Sequence, residues 1–281
     1  MADAADGSAG FACEDISMPE LPEVETVTRS IQPLVGRRIV TAEFRCLRVL
    51  RGGDPDDMAA RLAGRRIDAV KRYGKFIVVS LRGGEYLTIH LGMTGKLLLG
   101  GPPGKHTHAI LTLDRGVLLY DDSRQFGRLL LSREFPQRVA KLGPEPLEVS
   151  FEDFAAGLKR RKTRIKALLL NQDFLRGIGN IYADEALFRA GIHPLALASR
   201  IRGERARRLY DAIVEVLREA IAAGGSSISD YVDAEGRKGF FQFSHRVYQH
   251  TGKPCVNCGT PVRRTLVAQR SSHFCPRCQK R

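Results

Sequence analysis

The sequence predicts an α+β protein: an N-terminal helix with an antiparallel β-sandwich, then a helical domain, then a short zinc ribbon. Three observations predict it. Apolar residues recur at a helical period near the start, give way to short strand-like runs from Arg38 to Leu131, and return to a helical period beyond Gly143-Pro144-Glu145-Pro146. Four of the six cysteines form two Cys-x2-Cys pairs near the C-terminus. A length of 281 residues with 43% apolar content suffices for about two domains with cores of their own.

The first helix follows Pro22, which suits a first turn, and carries Val24, Val27, Ile31, Leu34 and Val35 on one face until Gly36. Strand pairs then read as hairpins at 76–81 with 86–91 about Gly83-Gly84, and at 111–119 about Asp114-Arg115-Gly116, in a sandwich or a barrel. The helical domain begins near Pro136, and its clearest face is Leu209, Ile213, Val216, Leu217, Ala220 and Ile221, ending at Gly224-Gly225. Residues 226–239 are polar, contain glycine, lack any period, and read as a mobile functional loop.

Forty-five Lys and Arg against 31 Asp and Glu give a net charge of +14, so the partner is a polyanion, with nucleic acid first among the choices. Residues 1–17 hold no Lys or Arg and no apolar stretch, which excludes a secretory or organelle signal, and no apolar run is long enough to span a membrane. A cytoplasmic protein with no membrane association is expected. Cys13 and Cys46 remain outside the paired set, as free thiols.

Cys255-x2-Cys258-x16-Cys275-x2-Cys278 has the spacing that wraps one tetrahedral, structural zinc ion; a redox pair or an iron-sulfur centre are the rival readings. A tail this short buries too little to fold alone, so metal binding, worth roughly 10–16 kcal/mol in zinc-finger peptides, should fold it. Gly177-Ile178-Gly179-Asn180 places glycines and an N-cap asparagine before a helix, where free backbone amides would favour a phosphate. Just before it, the basic run from Lys159 to Lys166 reads either as a solvated helix face or as a surface lying along DNA.

Met18-Pro19-Glu20-Leu21-Pro22 carries a different kind of signal. Proline at a chain terminus has a free secondary amine with a pKa near ~8, a nucleophile at neutral pH, whereas inside a chain the same nitrogen is an inert amide. Met18 can serve as an initiator that is trimmed before proline, so residues 1–18 are expected to be a removed extension or a mis-assigned start outside the fold.

Together, Met18 to Thr26, His90-Leu91-Gly92-Met93-Thr94-Gly95, Asp122-Ser123-Arg124-Gln125-Phe126-Gly127, the Gly-Ile-Gly-Asn turn and the cysteine ribbon resemble the formamidopyrimidine-DNA glycosylase family, over Met18 to Arg281. The Leu-Pro-Glu-Val start resembles this branch rather than the related endonuclease VIII branch. The resemblance implies a catalytic β-sandwich domain at 19–135, a helix-two-turn-helix domain at 136–240 that includes a lesion loop, and a zinc finger at 245–281. It also implies a monomer acting on double-stranded DNA that contains oxidised purines, as a bifunctional glycosylase and abasic-site lyase.

In that family frame Pro19 is the nucleophile and Glu20 the acid-base carboxylate. Lys75 matches the proton donor of β-elimination, and Arg270 matches the arginine assigned to δ-elimination, where a guanidinium serves better by neutralising phosphates. Met93, Arg124 and Phe126 match the side chains that fill the void, face the orphaned cytosine and wedge the neighbouring step, while His106, Arg124, Arg161 and Asn180 match DNA contacts; at position 161 the family also uses lysine. Ser123 and Gln125 depart from the commoner Pro and Arg, which removes one charge and leaves the insertion residues intact. Two rivals remain: an oxidised-pyrimidine glycosylase of the endonuclease VIII type, and a non-catalytic zinc-ribbon DNA-binding protein.

Overall fold

The computed structural model describes residues 18–51, 53–228 and 230–281; the expectations for residues 1–17, Cys13 among them, lie outside the described residues. Helix α1, Leu21–Ser30, starts with Pro22 in its first turn and a reciprocal capping box between Glu20 and Glu23. It stops earlier than its apolar pattern suggests. Pro33 has no amide to donate and crowds the carbonyl four residues back, so the chain tightens into a 3-10 turn at Gln32–Leu34 and leaves Val35 42% exposed.

The sandwich is built from β1 (Ile39–Phe44), β2 (Ile67–Tyr73), β3 (Phe76–Leu81), β4 (Glu85–His90), β5 (Gly95–Leu99), β6 (Thr107–Leu113), β7 (Val117–Asp122) and β8 (Arg128–Ser132). These form two four-stranded antiparallel sheets, in the orders β1-β6-β7-β5 and β2-β3-β4-β8, rather than a closed barrel. Between β1 and β2 runs a helix that the strand-like reading missed, α2 (Pro55–Leu62), although Asp54-Pro55 is a start signal: the Asp54 carboxylate accepts from the amides of Asp56 and Asp57. Met58 and Leu62 of α2 join the sandwich core.

The second domain comprises α3 (Gln137–Ala140), α4 (Phe151–Lys159), α5 (Ile165–Leu170), α6 (Asn180–Arg189) and α7 (Glu204–Ala222). The expected face of α7 is buried from Leu209 through Ala220, in one core with Phe154, Leu158, Leu169 and Leu187. The basic run is not one continuous surface. It breaks between α4 and α5, leaving Arg160 to Lys162 exposed, while Lys166 is completely buried and bonded to Asp184 of α6. The C-terminal ribbon is one hairpin, β9 (Arg263–Val267) and β10 (Arg270–Phe274), turned by Ala268 and Gln269, both at positive φ as a tight hairpin turn requires.

Helix α1 is shared by both cores: Leu21 packs with the helical domain, whereas Val24, Val27 and Ile31 pack with the sandwich. Residues 226–239, expected as a mobile loop, are tied across this junction. Tyr231 and Ala234 are buried in the sandwich core, the Tyr231 hydroxyl donates to the Glu23 carbonyl at 3.2 Å, and the Leu99 amide donates to the Ala234 carbonyl at 2.9 Å. Among the described residues, no helix is long and apolar enough to cross a membrane.

A second tie between the domains is ionic. Glu145, 5% exposed between α3 and α4, accepts two bonds from the Arg72 guanidinium at 3.0 and 2.9 Å and one from Arg176 at 3.0 Å, while Arg72 Nε bonds Glu25 of α1 at 2.7 Å. Removing one partner from such a site strands the other charge. Arg72→Met is therefore expected to cost about 3 kcal/mol in urea unfolding, against under about 1 kcal/mol for Arg82→Met, whose pair with Asp68 is exposed.

Candidate active site and nucleic-acid interface

A cleft of about 620 Å³ opens between the two domains, and it gathers Met18, Glu20, Lys75, Met93, Asn180 and Arg270. These residues come from five separate parts of the chain. Met18 and Glu20 precede α1, Lys75 lies in the tight turn between β2 and β3, Met93 in the turn between β4 and β5, Asn180 opens α6, and Arg270 opens β10. Pro19 is buried between Met18 and Glu20.

The carboxylate of Glu20 occupies the N-terminus of α6. It accepts from the amides of Gly179 at 2.7 Å, Ile181 at 3.0 Å and Tyr182 at 3.4 Å, so the end read as a phosphate cradle is filled from within the protein. The cap itself also differs from expectation: the N-cap is Gly179, and Asn180 is the first helical residue. Gly179 is needed for space, because a Cβ there would collide with the Glu20 carboxyl and lie 2.7 Å from Lys75 Nζ. Released from its expected capping role, Asn180 lines the cleft, and its side-chain oxygen is buried with no hydrogen-bond partner among the described residues.

Burial raises the pKa of Glu20, opposed by Lys75 and the α6 amides, and burial lowers the pKa of Lys75, opposed by Glu20 and Glu23. Both shifts bring an acid and a base toward the neutral range in which protons transfer readily. Glu23, which the sequence did not single out, deepens the arrangement. Its carboxylate accepts from the Glu20 amide at 2.9 Å, the Ser226 amide at 2.7 Å and the Tyr182 hydroxyl at 2.5 Å, and burial with the adjacent Glu20 charge pushes its pKa up to about 7. The Glu20-x-x-Glu23 capping spacing was the available signal.

The DNA-contact candidates divide. Arg124 and Phe126 share the loop between β7 and β8, where the guanidinium sits 4.8 Å from the ring centroid and Phe126 is 46% exposed. Phe126 lines a second cavity, of about 520 Å³, which shares Phe76, His90 and Arg138 with the first. Gln125, one of the two departures, takes a left-handed φ of 56° in that loop. His106, before β6, and Arg161, after α4, are exposed and line neither cavity.

Three family profiles cover nearly all of this architecture: the formamidopyrimidine-DNA glycosylase N-terminal domain over residues 18–129, the formamidopyrimidine-DNA glycosylase H2TH domain over 142–232, and the zinc finger found in FPG and IleRS over 252–281. The formamidopyrimidine-DNA glycosylase of Solibacter usitatus is 79% identical over 264 residues, 94% of this chain and 100% of the relative. The chain belongs to the formamidopyrimidine-DNA glycosylase family. Among solved members, the MutM (FPG) protein of Thermus thermophilus is 46% identical with a TM-score of 0.84, covering 93% of this chain and 98% of that one. A Lactococcus lactis FPG point mutant, in complex with a Fapy-dG containing DNA, is 35% identical with a TM-score of 0.86, covering 94% and 100%.

The family's zinc finger is built here as a four-cysteine site. All four sulfurs lie within 4.8 Å of one another, with Cys255 to Cys278 at 3.9 Å and Cys258 to Cys275 at 3.5 Å. A tetrahedron of sulfurs about 2.3 Å from zinc has edges of about 3.8 Å, so the donor set fits one structural ion. Backbone amides of Asn257 and Cys278 point at Cys255 Sγ and Cys275 Sγ, each at 3.4 Å, as expected around thiolates. Cys46 is a half-buried free cysteine away from this set. The ribbon docks on the helical domain through Lys166, which donates to Asp184 and to the Ser271 carbonyl at 3.0 Å, with Asp184 also accepting from the His273 amide at 2.9 Å. Nothing in the basic run marked Lys166 as internal.

Two outcomes are expected from this geometry. Because the folded pKa of Glu23 is raised from 4.5 to about 7, its contribution is full below the lower value and is lost as pH rises through the upper one. Melting temperature should therefore fall from pH 5 to pH 8 more steeply in the wild type than in Glu23→Gln, by the equivalent of about 3 kcal/mol in all. Cys275→Ser, or a strong chelator, should release zinc and unfold residues 252–281 while the α1 to β8 sandwich keeps its cooperative transition, checked by metal analysis and hydrogen exchange.

Proposed function

We propose that this chain excises oxidised purines from duplex DNA and then cuts the strand, through a Schiff base on the Pro19 nitrogen. The observation that carries the proposal is the convergence of Met18 and Glu20, which flank the buried Pro19, with Lys75, Asn180 and Arg270 on one interdomain cleft. Relatives named formamidopyrimidine-DNA glycosylase, and a Lactococcus lactis relative bound to DNA containing Fapy-dG, support the substrate class. In this reading the chain works as a cytoplasmic monomer.

The secondary amine of Pro19 attacks the sugar C1′, the oxidised base departs, and Glu20, whose carboxyl is primed by burial, gives its proton to the ring oxygen as the sugar opens. The resulting iminium has no N–H to lose. Positive charge stays beside C2′, a C2′ proton is removed, and the bond to the 3′ phosphate breaks. Lys75, which burial makes readier to release its proton, carries protons in this elimination, and Arg270 neutralises the phosphates that leave. Met93 fills the void left by the extruded nucleotide, Arg124 faces the orphaned cytosine, Phe126 wedges the adjacent step, and His106, Arg161 and Asn180 hold the strand.

The chemistry needs an unacylated Pro19. A family match that starts at Met18 supports a working chain without residues 1–17, in which trimming of the initiator Met18 frees the Pro19 nitrogen. Protein beginning at Pro19 should form a covalent adduct with 8-oxoguanine:cytosine duplex under borohydride, and protein retaining residues 1–18 should form none. Glu20→Gln should slow excision by about a hundredfold or more. No adduct from the processed chain, or equal adduct from both forms, would overturn the mechanism, and preferred cleavage of thymine glycol would overturn the substrate class.

A further inference from the structure

Asp122, at the end of β7, is completely buried, and both carboxylate oxygens are committed to the two loops that carry Met93, Arg124 and Phe126. Oδ1 accepts from the Thr94 hydroxyl at 2.5 Å, and Oδ2 accepts from the Gly127 amide at 2.8 Å and the Tyr120 hydroxyl at 3.1 Å. Thr94 passes the link on, since its oxygen accepts from the Arg124 amide at 3.1 Å. The Asp122 carbonyl is bonded to His108 Nε2 at 2.9 Å. No basic side chain pairs with the carboxylate among the described residues, so it serves as a pure acceptor for donors from both loops. The backbones interlock as well. Gly92 has φ of +65°, and a Cβ there would meet Gly127 N and Phe126 C, each at 2.5 Å.

We propose that Asp122, acting through Thr94, is a positioning residue that locks the Met93 loop to the Arg124-Phe126 loop, so that the three side chains enter the duplex as one rigid unit. This rests on the insertion roles proposed above. A prefixed unit loses little freedom on binding and presents its wedge in register with the emptied site, whereas two independent loops would each have to be ordered by the DNA. A carboxylate suits the task because it offers acceptors only; an amide would turn a donor toward either Thr94 or Gly127.

Thr94→Val keeps the shape and removes the bridging hydroxyl, and Asp122→Asn keeps the volume and removes one acceptor. Two readouts separate positioning from general damage: the fluorescence rise of 2-aminopurine placed beside an 8-oxoguanine:cytosine pair, which reports unstacking, and cleavage of an abasic site in single-stranded DNA, which has no stack to enter. Both variants should slow the fluorescence rise and duplex cleavage by about tenfold or more, with single-strand cleavage within about twofold of wild type. The double variant Thr94→Val with Phe126→Ala should lose clearly less than the sum of the two single losses. Equal loss on both substrates, an unchanged fluorescence rise, or additive losses would each overturn the lock. A wild type that unstacks the duplex yet cuts neither substrate would instead reject the cleavage chemistry and leave the lock standing.

Discussion

The contact on which the architecture turns is the Glu20 carboxylate seated at the N-terminus of α6. It joins the start of the sandwich domain to the first turn of a helix in the other domain. It also answers the unpaired amides that any helix start exposes. The same bonds hold a carboxyl beside Pro19 in a buried place, where its pKa rises. Fold and candidate chemistry are therefore served by one group, and the space it occupies exists because position 179 has no side chain.

Around that contact the interface between domains is rich in charge that has left water. Glu23, Glu145 and Arg72 are each satisfied by at least one fixed partner from the opposite domain. Replacing such pairs with apolar groups would often leave stability unchanged, so their physical use lies in geometry: a charged, bonded network tolerates one relative placement of the two domains and penalises others. The strap at 226–239 has the same effect by apolar means, inserting Tyr231 and Ala234 into the sandwich core.

The zinc ribbon extends this logic to a third unit. Its own core is small, comprising Val262, Cys255 and Cys275 with Phe188 borrowed from α6 and Val247 from the segment before it. Metal holds the ribbon closed, and the buried Lys166-Asp184 pair fixes where it sits, which brings Arg270 to the cleft. A cation and a carboxylate wholly removed from solvent are stable there because each also bonds β10, Lys166 to a carbonyl and Asp184 to an amide.

Local chemistry was readable directly from the chain. The cysteine spacing specifies a zinc site, the apolar periods specify sandwich then helices, and Pro19-Glu20 with the Met93 and Arg124-Phe126 motifs specify the family, because each depends on residues close in sequence. What needed the tertiary structure were interactions between segments more than a hundred residues apart. Glu20 meets Gly179, Glu23 meets Ser226, and Lys166 meets Ser271, so the helix end read as open is occupied, the loop read as mobile is tied, and a lysine read as facing outward is internal. Even the end of α1 follows the same division: Pro33 sets a local stop, but which face of the helix meets which core was decided by packing between domains. Sequence neighbours carry propensity and spacing, whereas burial, and the pKa shifts that follow from it, belong to the whole fold.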